Sequence, residues 1–450
     1  MLASDSHRLT SGNILFNLVR FALPFLFANL LISMYGAADV LIVSYFAAPA
    51  TLSATATGAQ VVMTIMSLAI GLGIGGTILI GQYFGAKREK DVHEAISTEF
   101  VLFGYISVVC SALLFTLAPS IADWMRAPED ARAETINYIR ICGGGIVFSF
   151  IYDVISSILR GLGDSKNPLK FVAIACVCNV LLDLLFVGYF RWGAGGAAAA
   201  TIIAQGISAL IAIIYLKTHK FIFDFKLKSF KFVPQKAKMI LKLGVPTAIQ
   251  HAIIFFSFTV MAVFVNKLGV AASAVFGIAN RVNGFMFLPP LAFGSAISVM
   301  AAQNMGAGKP ERAKESFYTG FLLSLIFAIP GYMILSVCPD ELIRLANSDA
   351  EIIRLGSEFM RAYSPNCLLM ALVMCLDGLF NGCGRTSFTM TNNIISSVVF
   401  RIPLIVIATS MTEIGCAMPW STFVQVACSC VYLCTGRWRK QLIPQHEKSA

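Results

Sequence analysis

Apolar residues fill this chain in runs longer than a soluble core needs, and short polar breaks separate the runs. Residues 317–337, for example, carry no charge at all, and about 20 such residues as a helix cross a bilayer. Set against the polar breaks, run length predicts twelve spans. Six lie in the first half, at 13–46, 52–80, 95–118, 135–158, 169–190 and 195–216. Six follow in the second, at 238–265, 272–301, 315–337, 352–380, 388–409 and 414–435. The pattern describes an all-α polytopic membrane protein with no room for a soluble domain. The first span is too long for a straight helix along the membrane normal, and Pro24 inside it gives it a place to bend.

The two halves repeat one another. Gly81-Gln82-Tyr83-Phe84-Gly85-Ala86-Lys87 returns as Ala302-Gln303-Asn304-Met305-Gly306-Ala307-Gly308-Lys309, with Gly85 and Gly306 in register 221 residues apart. Arg20 and Pro24 fall on Lys242 and Pro246. Gly161-Leu162-Gly163 falls on Gly382-Cys383-Gly384, and Gly195-Gly196-Ala197 on Gly415-Cys416-Ala417. Six spans per unit make both halves enter from the same side. The expected architecture is two six-helix bundles related by a pseudo-two-fold axis along the membrane normal. The expected boundaries are a polar N-terminus (1–12), a first lobe (13–216), a linker (217–237), a second lobe (238–436) and a tail (437–450).

Composition agrees, with 57% hydrophobic and 13% charged residues and a mean hydropathy of +0.76. The net charge of +10 is not a nucleic-acid footprint, because it is distributed by loop. Lys87, Arg88, Arg160, Lys166, Lys309 and Arg312 alternate with loops poor in cations, and the linker is rich in lysine. The positive-inside rule then places both termini in the cytoplasm of a cell-membrane protein. The linker alternates Phe and Lys and is expected on the headgroups, aromatic side chains in and lysines on anionic lipid.

Several apparent motifs lose their usual meaning in this setting. Gly71-x-Gly73-x-x-Gly76 has dinucleotide-site spacing, yet it lies in an apolar span with no acid to read a ribose. Gly71 and Gly75 instead suit close helix packing. Gly306-x-Gly308-Lys309 lacks phosphate-loop spacing, so transport draws on an ion gradient or is passive. The twelve Cys read as buried packing thiols. Of five His, only His251 falls in a span; His7, His93, His219 and His446 do not. No cofactor, metal or enzymatic chemistry is indicated.

Intramembrane charges carry the functional signal, since each costs about 2.5–3.5 kcal/mol on insertion scales. Asp39 lies late in the first span and Asp183 late in the fifth, at matching depth in the outer half. Asn179 lies one turn from Asp183, and Tyr138 and Thr201 enter the same layer from the fourth and sixth spans. These five form either a proton or cation site or a structural polar network. The second half has no such acids: Asp39 falls on Met261 and Asp183 on Leu404. It has Arg281, Arg361, Asp377 and Arg401, of which the last two could neutralise each other. Asp153 is placed to pair with Arg160.

With these residues in view, the chain resembles the multidrug and toxic compound extrusion (MATE) family over about residues 13–436. The resemblance rests on Pro24 with Asp39, on Gly81-Gln-x-x-Gly-Ala, and on Leu159-Arg160-Gly161-x-Gly163-Asp164. Asn179-x-x-x-Asp183 and Gln303-Asn304-x-Gly306-Ala307 complete it. It implies two six-helix bundles around a V-shaped cleft, and export of organic cations or amphipaths by antiport with H⁺ or Na⁺. In the DinF-like, proton-coupled branch the coupling network falls on Asp39, Tyr138, Asn179, Asp183 and Thr201, with Pro24 as the bend. The Na⁺-coupled NorM-like branch carries an acid in its seventh helix, whereas this chain reads Gln250-His251-Ala252 there. H⁺ is therefore the expected ion, in a monomer within lipid. Gln250, His251, Met261, Arg281, Phe285, Met286 and Asp377 are candidate substrate contacts. A flippase for a lipid-linked saccharide is the alternative, since the second-half arginines could hold pyrophosphate; a receptor is disfavoured by the lack of any extramembrane domain.

Overall fold

The structure, a computed structural model, describes residues 7–218 and 221–443; His219, Lys220 and His446 lie outside the described residues. It is 88% helical, and no strand occurs among the described residues. The first half comprises α1 (Ile14–Phe46), α2 (Pro49–Gly85), α3 (Glu89–Trp124), α4 (Glu129–Gly161), α5 (Lys166–Asp183) and α6 (Gly193–Thr218). The second begins with α7 (Pro234–Lys267), α8 (Val270–Met286), α9 (Leu288–Gly306) and α10 (Pro310–Val337). It continues with α11 (Pro339–Arg344), α12 (Ala350–Tyr363), α13 (Pro365–Gly382), α14 (Thr386–Ile394), α15 (Ile402–Ile407) and α16 (Met411–Cys434). Among the described residues, twelve helical stretches are long and apolar enough to cross a membrane. This is a multi-pass membrane protein.

Besides the π-helical turns that follow α5 and join α14 to α15 (Ile395–Arg401), two spans depart from their predicted form. The eighth is broken at Phe287, where Pro289 and Pro290 cannot supply backbone donors, so α8 hands over to α9. The tenth begins at Pro365 rather than at 352. Its expected first part is the separate helix α12, which buries Phe359, Met360 and Tyr363 on one face. The other face carries an Arg354–Glu358 ion pair at 3.0 Å. Arg361 belongs there too, paired with Asp340 at 3.7 Å and half exposed. Asp349 caps α12 by accepting from the backbone N–H groups of Glu351 and Ile352.

The repeated glycine pairs end corresponding helices in the same way. Gly163 and Gly384 adopt φ of +90° and +77° after α4 and α13. Asp164 N–H bonds back to the Leu159 carbonyl, and Arg385 N–H to that of Phe380, which closes a left-handed cap.

The chain divides into two compact units. Unit 1 holds Phe27–Ile80 and Arg88–Gly244. Its cores are Ile42, Val43, Tyr138 and Val187 at one level, and Ile155, Leu159, Phe171 and Leu216 at another. Of the linker's aromatic residues, Phe221, Phe223, Phe225 and Phe230 pack into this protein core rather than outward, whereas Phe232 is exposed. Phe223 is buried against Phe100, Phe225 and Phe230, with His93 beside it. The linker backbone is also fastened to α3. Lys231 N–H donates to Ser97 Oγ at 2.5 Å, Val233 N–H donates to Thr98 Oγ1 at 3.2 Å, and Lys236 pairs with Asp91. Sequence alternation could not separate a lipid face from a protein face, since both are apolar.

Unit 2 holds Arg8–Leu26, Gly81–Lys87 and the chain from Val245 onward. Leu18, Phe21 and Ala22 of α1 join Phe293, Phe317 and Phe380 in its main core. Here the two copies of the repeated motif meet. No Cβ would fit at Gly85 against the Gln303 carbonyl, nor at Gly306 against that of Gln82. Gln82 Nε2 donates to the Gly382 carbonyl at 3.0 Å. The text repeat therefore marks a reciprocal backbone contact that only glycine permits.

Candidate functional site

Four helices of unit 1 bring the predicted polar residues into one layer. Asp39 comes from α1, Tyr138 from α4, Asn179 and Asp183 from α5, and Thr201 from α6. The Asp39 and Asp183 carboxyls face each other within hydrogen-bonding range. Asp183 and Asn179 are buried, Asp39 and Thr201 partly so. Asn179 Nδ2 donates to Thr201 Oγ1 over a long 3.5 Å. Immediately beyond Asp183 the helix widens into a π turn, Leu184–Tyr189, a local irregularity common at functional sites.

The hydrogen-bond inventory of this layer is one-sided. Asp39 Oδ1, Asn179 Oδ1 and both oxygens of Asp183 are buried with no donor reaching them. Buried acceptors without donors are costly, and two ionised carboxylates in contact more so. One added proton removes the repulsion and joins one oxygen of each carboxyl, because a protonated carboxyl donates to its neighbour; Asn179 Oδ1 and the second Asp183 oxygen still have no donor. The pair would then titrate as a unit rather than as two residues.

Two members of the site escaped the sequence reading. Tyr35 acts electrostatically on both Asp39 and Asp183, and Cys142 lies beside Tyr138 in the same buried layer. Tyr35 lies one turn before Asp39 and Cys142 one turn after Tyr138; extending the i±4 rule from each predicted residue finds both. Pro24 lies within α1, which stays helical through it. It stands two residues before the point where α1 passes from unit 2 to unit 1.

The candidate substrate residues of the second half do not form one cluster. Gln250 and Asp377 come together, Gln250 Nε2 donating to Asp377 Oδ2 at 3.0 Å. Met261 is only 1% exposed within an apolar core and presents no surface to a ligand. Met286 lies with Phe287, Phe327, Tyr363 and Cys367 around a small cavity. Arg281 and Phe285 are exposed on α8, and His251 is half-buried. The expected Asp377–Arg401 pair does not form. Asp377 is held by Gln250, while Arg401 Nε donates to Ser421 Oγ at 3.0 Å. Asp153 lies in the field of the Arg160 guanidinium, but its Oδ2 is buried without a partner. No group of three or more His, Cys, Asp or Glu that could hold a metal occurs among the described residues.

One comparison decides the family. The MatE family model matches this chain twice, over residues 24–185 and 246–407. The chain belongs to the MatE family. The two matches begin 222 residues apart and are equally long, so the family unit is the repeat legible in the sequence. Among MatE relatives, the probable multidrug resistance protein YpnP of Bacillus subtilis is 29% identical over 433 residues, covering 96% of this chain and 97% of its own. Crystal structures of a MATE protein in a bent and in a straight conformation match with TM-scores of 0.88 and 0.86. Each is 20% identical and covers 96% of this chain and 97% of the other. The fold is thus that of MATE transporters, a family of transporters and not of enzymes.

Proposed function

We propose that this protein is a multidrug efflux transporter that exports cationic or amphipathic organic compounds in exchange for H⁺. The observation that carries the coupling is the donor-free acceptor layer of Asp39, Asn179 and Asp183. Relatives called multidrug resistance proteins support the export of organic compounds. Neither relative's name points to a saccharide flippase.

The cycle follows from the chemistry of the layer. A proton arriving from outside settles between Asp39 and Asp183, with Tyr35 and Tyr138 alongside. Neutralised, the two carboxyls attract rather than repel, and α1 is drawn toward α5. Pro24 removes one backbone hydrogen bond from α1 and lets its two parts swing separately. The MATE protein known in bent and straight conformations offers a precedent for two positions of such a helix. Loss of the proton to the cytoplasm reverses the movement. The alternating basic loops support cytoplasmic N- and C-termini.

The direct test is drug susceptibility of an efflux-deficient bacterial host expressing the protein. Raised resistance to several lipophilic cations, lost on collapsing the pH gradient, is the expected result. Unchanged susceptibility to every compound, with the protein present in the membrane, would refute export.

A further inference from the structure

A second buried carboxylate lies in the same unit, far from the first pair. Glu99 of α3 is 0% exposed. Tyr138 and Ser157, its neighbour on α4, are separated by about 28 Å of helix at 1.5 Å per residue. That is close to the full hydrocarbon thickness of about 30 Å. Glu99 therefore occupies the opposite end of the first lobe, beside the basic Arg88, Arg160 and linker segments.

Its surroundings are built to receive it. Gly76 of α2 faces the carboxyl so closely that no Cβ would fit. Gly73 faces Ser157. Of the glycines whose spacing resembled a nucleotide motif, Gly76 thus forms a notch for an acid. From α4 come Ser157 and the Arg160 guanidinium, which acts on both Glu99 and Asp153. Tyr152 acts on Arg160 rather than on Glu99. The linker brings Lys231 and Lys236 onto α3, where Lys236 is taken by Asp91 and Glu94. On α3 itself, His93 lies against Phe223. Two carboxylates thus share one guanidinium, one negative charge too many for a buried site.

Proton counting in the hydrogen bonds locates the remedy. Ser157 Oγ lies 2.5 Å from Glu99 Oε1 and 2.9 Å from the Val154 carbonyl oxygen. A hydroxyl has one proton and can donate to only one of them. If Ser157 donates to Val154, the contact with Glu99 needs a proton on the carboxyl. If Glu99 is ionised, Ser157 turns its proton to it and releases Val154. Glu99 Oε2 has no donor in either arrangement.

We propose that Glu99 and Ser157 form a second proton-binding station, on the cytoplasmic side of the first lobe. On protonation an O–H bond forms at Glu99 Oε1 and donates to Ser157 Oγ, while the Ser157 proton rotates to the Val154 carbonyl. Arg160 is left to balance Asp153 alone. The reverse rotation releases the proton toward the linker. Its part in transport rests on the proton-coupled reading above; proton binding itself is measurable on the resting protein.

Infrared difference spectroscopy of the purified, lipid-reconstituted protein across a pH step tests this. The wild type is expected to show a protonated-carboxyl C=O band that disappears in Glu99→Gln and persists in Asp39→Asn and Asp183→Asn. Ser157→Ala should keep that band but shift it, through loss of its hydrogen-bond acceptor, which serves if the Glu99 variant does not fold. Identical pH-difference spectra in wild type and Glu99→Gln would overturn the proposal, as would a band untouched by Ser157→Ala or one displaced by Na⁺ instead of pH. Failure of the Asp39–Asp183 reading would appear only in the Asp variants.

Discussion

The two halves of this chain share a scaffold and differ where it matters. In the first half, Asp39, Asn179 and Asp183 create a buried layer short of donors, with Tyr138 beside them. At corresponding places the second half carries Met261, the neighbours Phe359 and Met360, and the neighbours Leu404 and Ile405, all in one apolar core. The polar remnant there inverts the charge. Arg401 stands where the repeat places Asn179, and donates to Ser421 as Asn179 donates to Thr201. A scaffold written twice can thus keep its reciprocal glycine contacts while placing the facing pair of acids in one copy only.

The contrast can be broken from either side. The largest effect is expected from Asp39→Asn or Asp183→Asn. Either removes the shared-proton pair, and pH-gradient-driven export should fall to background while protein remains folded in the membrane, as judged by vesicle transport and size-exclusion profiles. Placing an acid in the silent copy is the converse test. Met261→Asp puts a carboxylate into an apolar core at a cost of about 2.5–3.5 kcal/mol. It should lower the melting temperature and should not rescue Asp39→Asn. Asn179→Ala should be mildest: it deletes one long hydrogen bond and one orphan acceptor, slowing export about tenfold, or about 1.4 kcal/mol, at unchanged expression.

Much of this was legible because membrane physics leaves a strong signature. Uninterrupted apolar runs gave the twelve spans, and the rarity of intramembrane acids singled out Asp39 and Asp183. Boundaries at proline were harder: Pro289 and Pro365 interrupt apolar stretches without changing their hydropathy, which hid the α8–α9 and α12–α13 breaks. Glu99 was missed within a correctly placed span. It lies only ten residues from the start of α3, where acids are commonly solvated, and its burial depends on Gly76 of another helix. Arg401 and Asp377 were read as partners because opposite charges in lipid usually pair. A hydroxyl and an amide took those roles instead.

The central claim is that a proton held by the first-half acids drives export. The most direct measurement is substrate transport in proteoliposomes under pH and Na⁺ gradients imposed separately, for wild type and Asp39→Asn. The account predicts transport in wild type under the pH gradient alone, none under Na⁺ alone, and none in the variant under either. Transport driven by Na⁺ without a pH gradient, or an Asp39→Asn protein exporting at the wild-type rate, would contradict it.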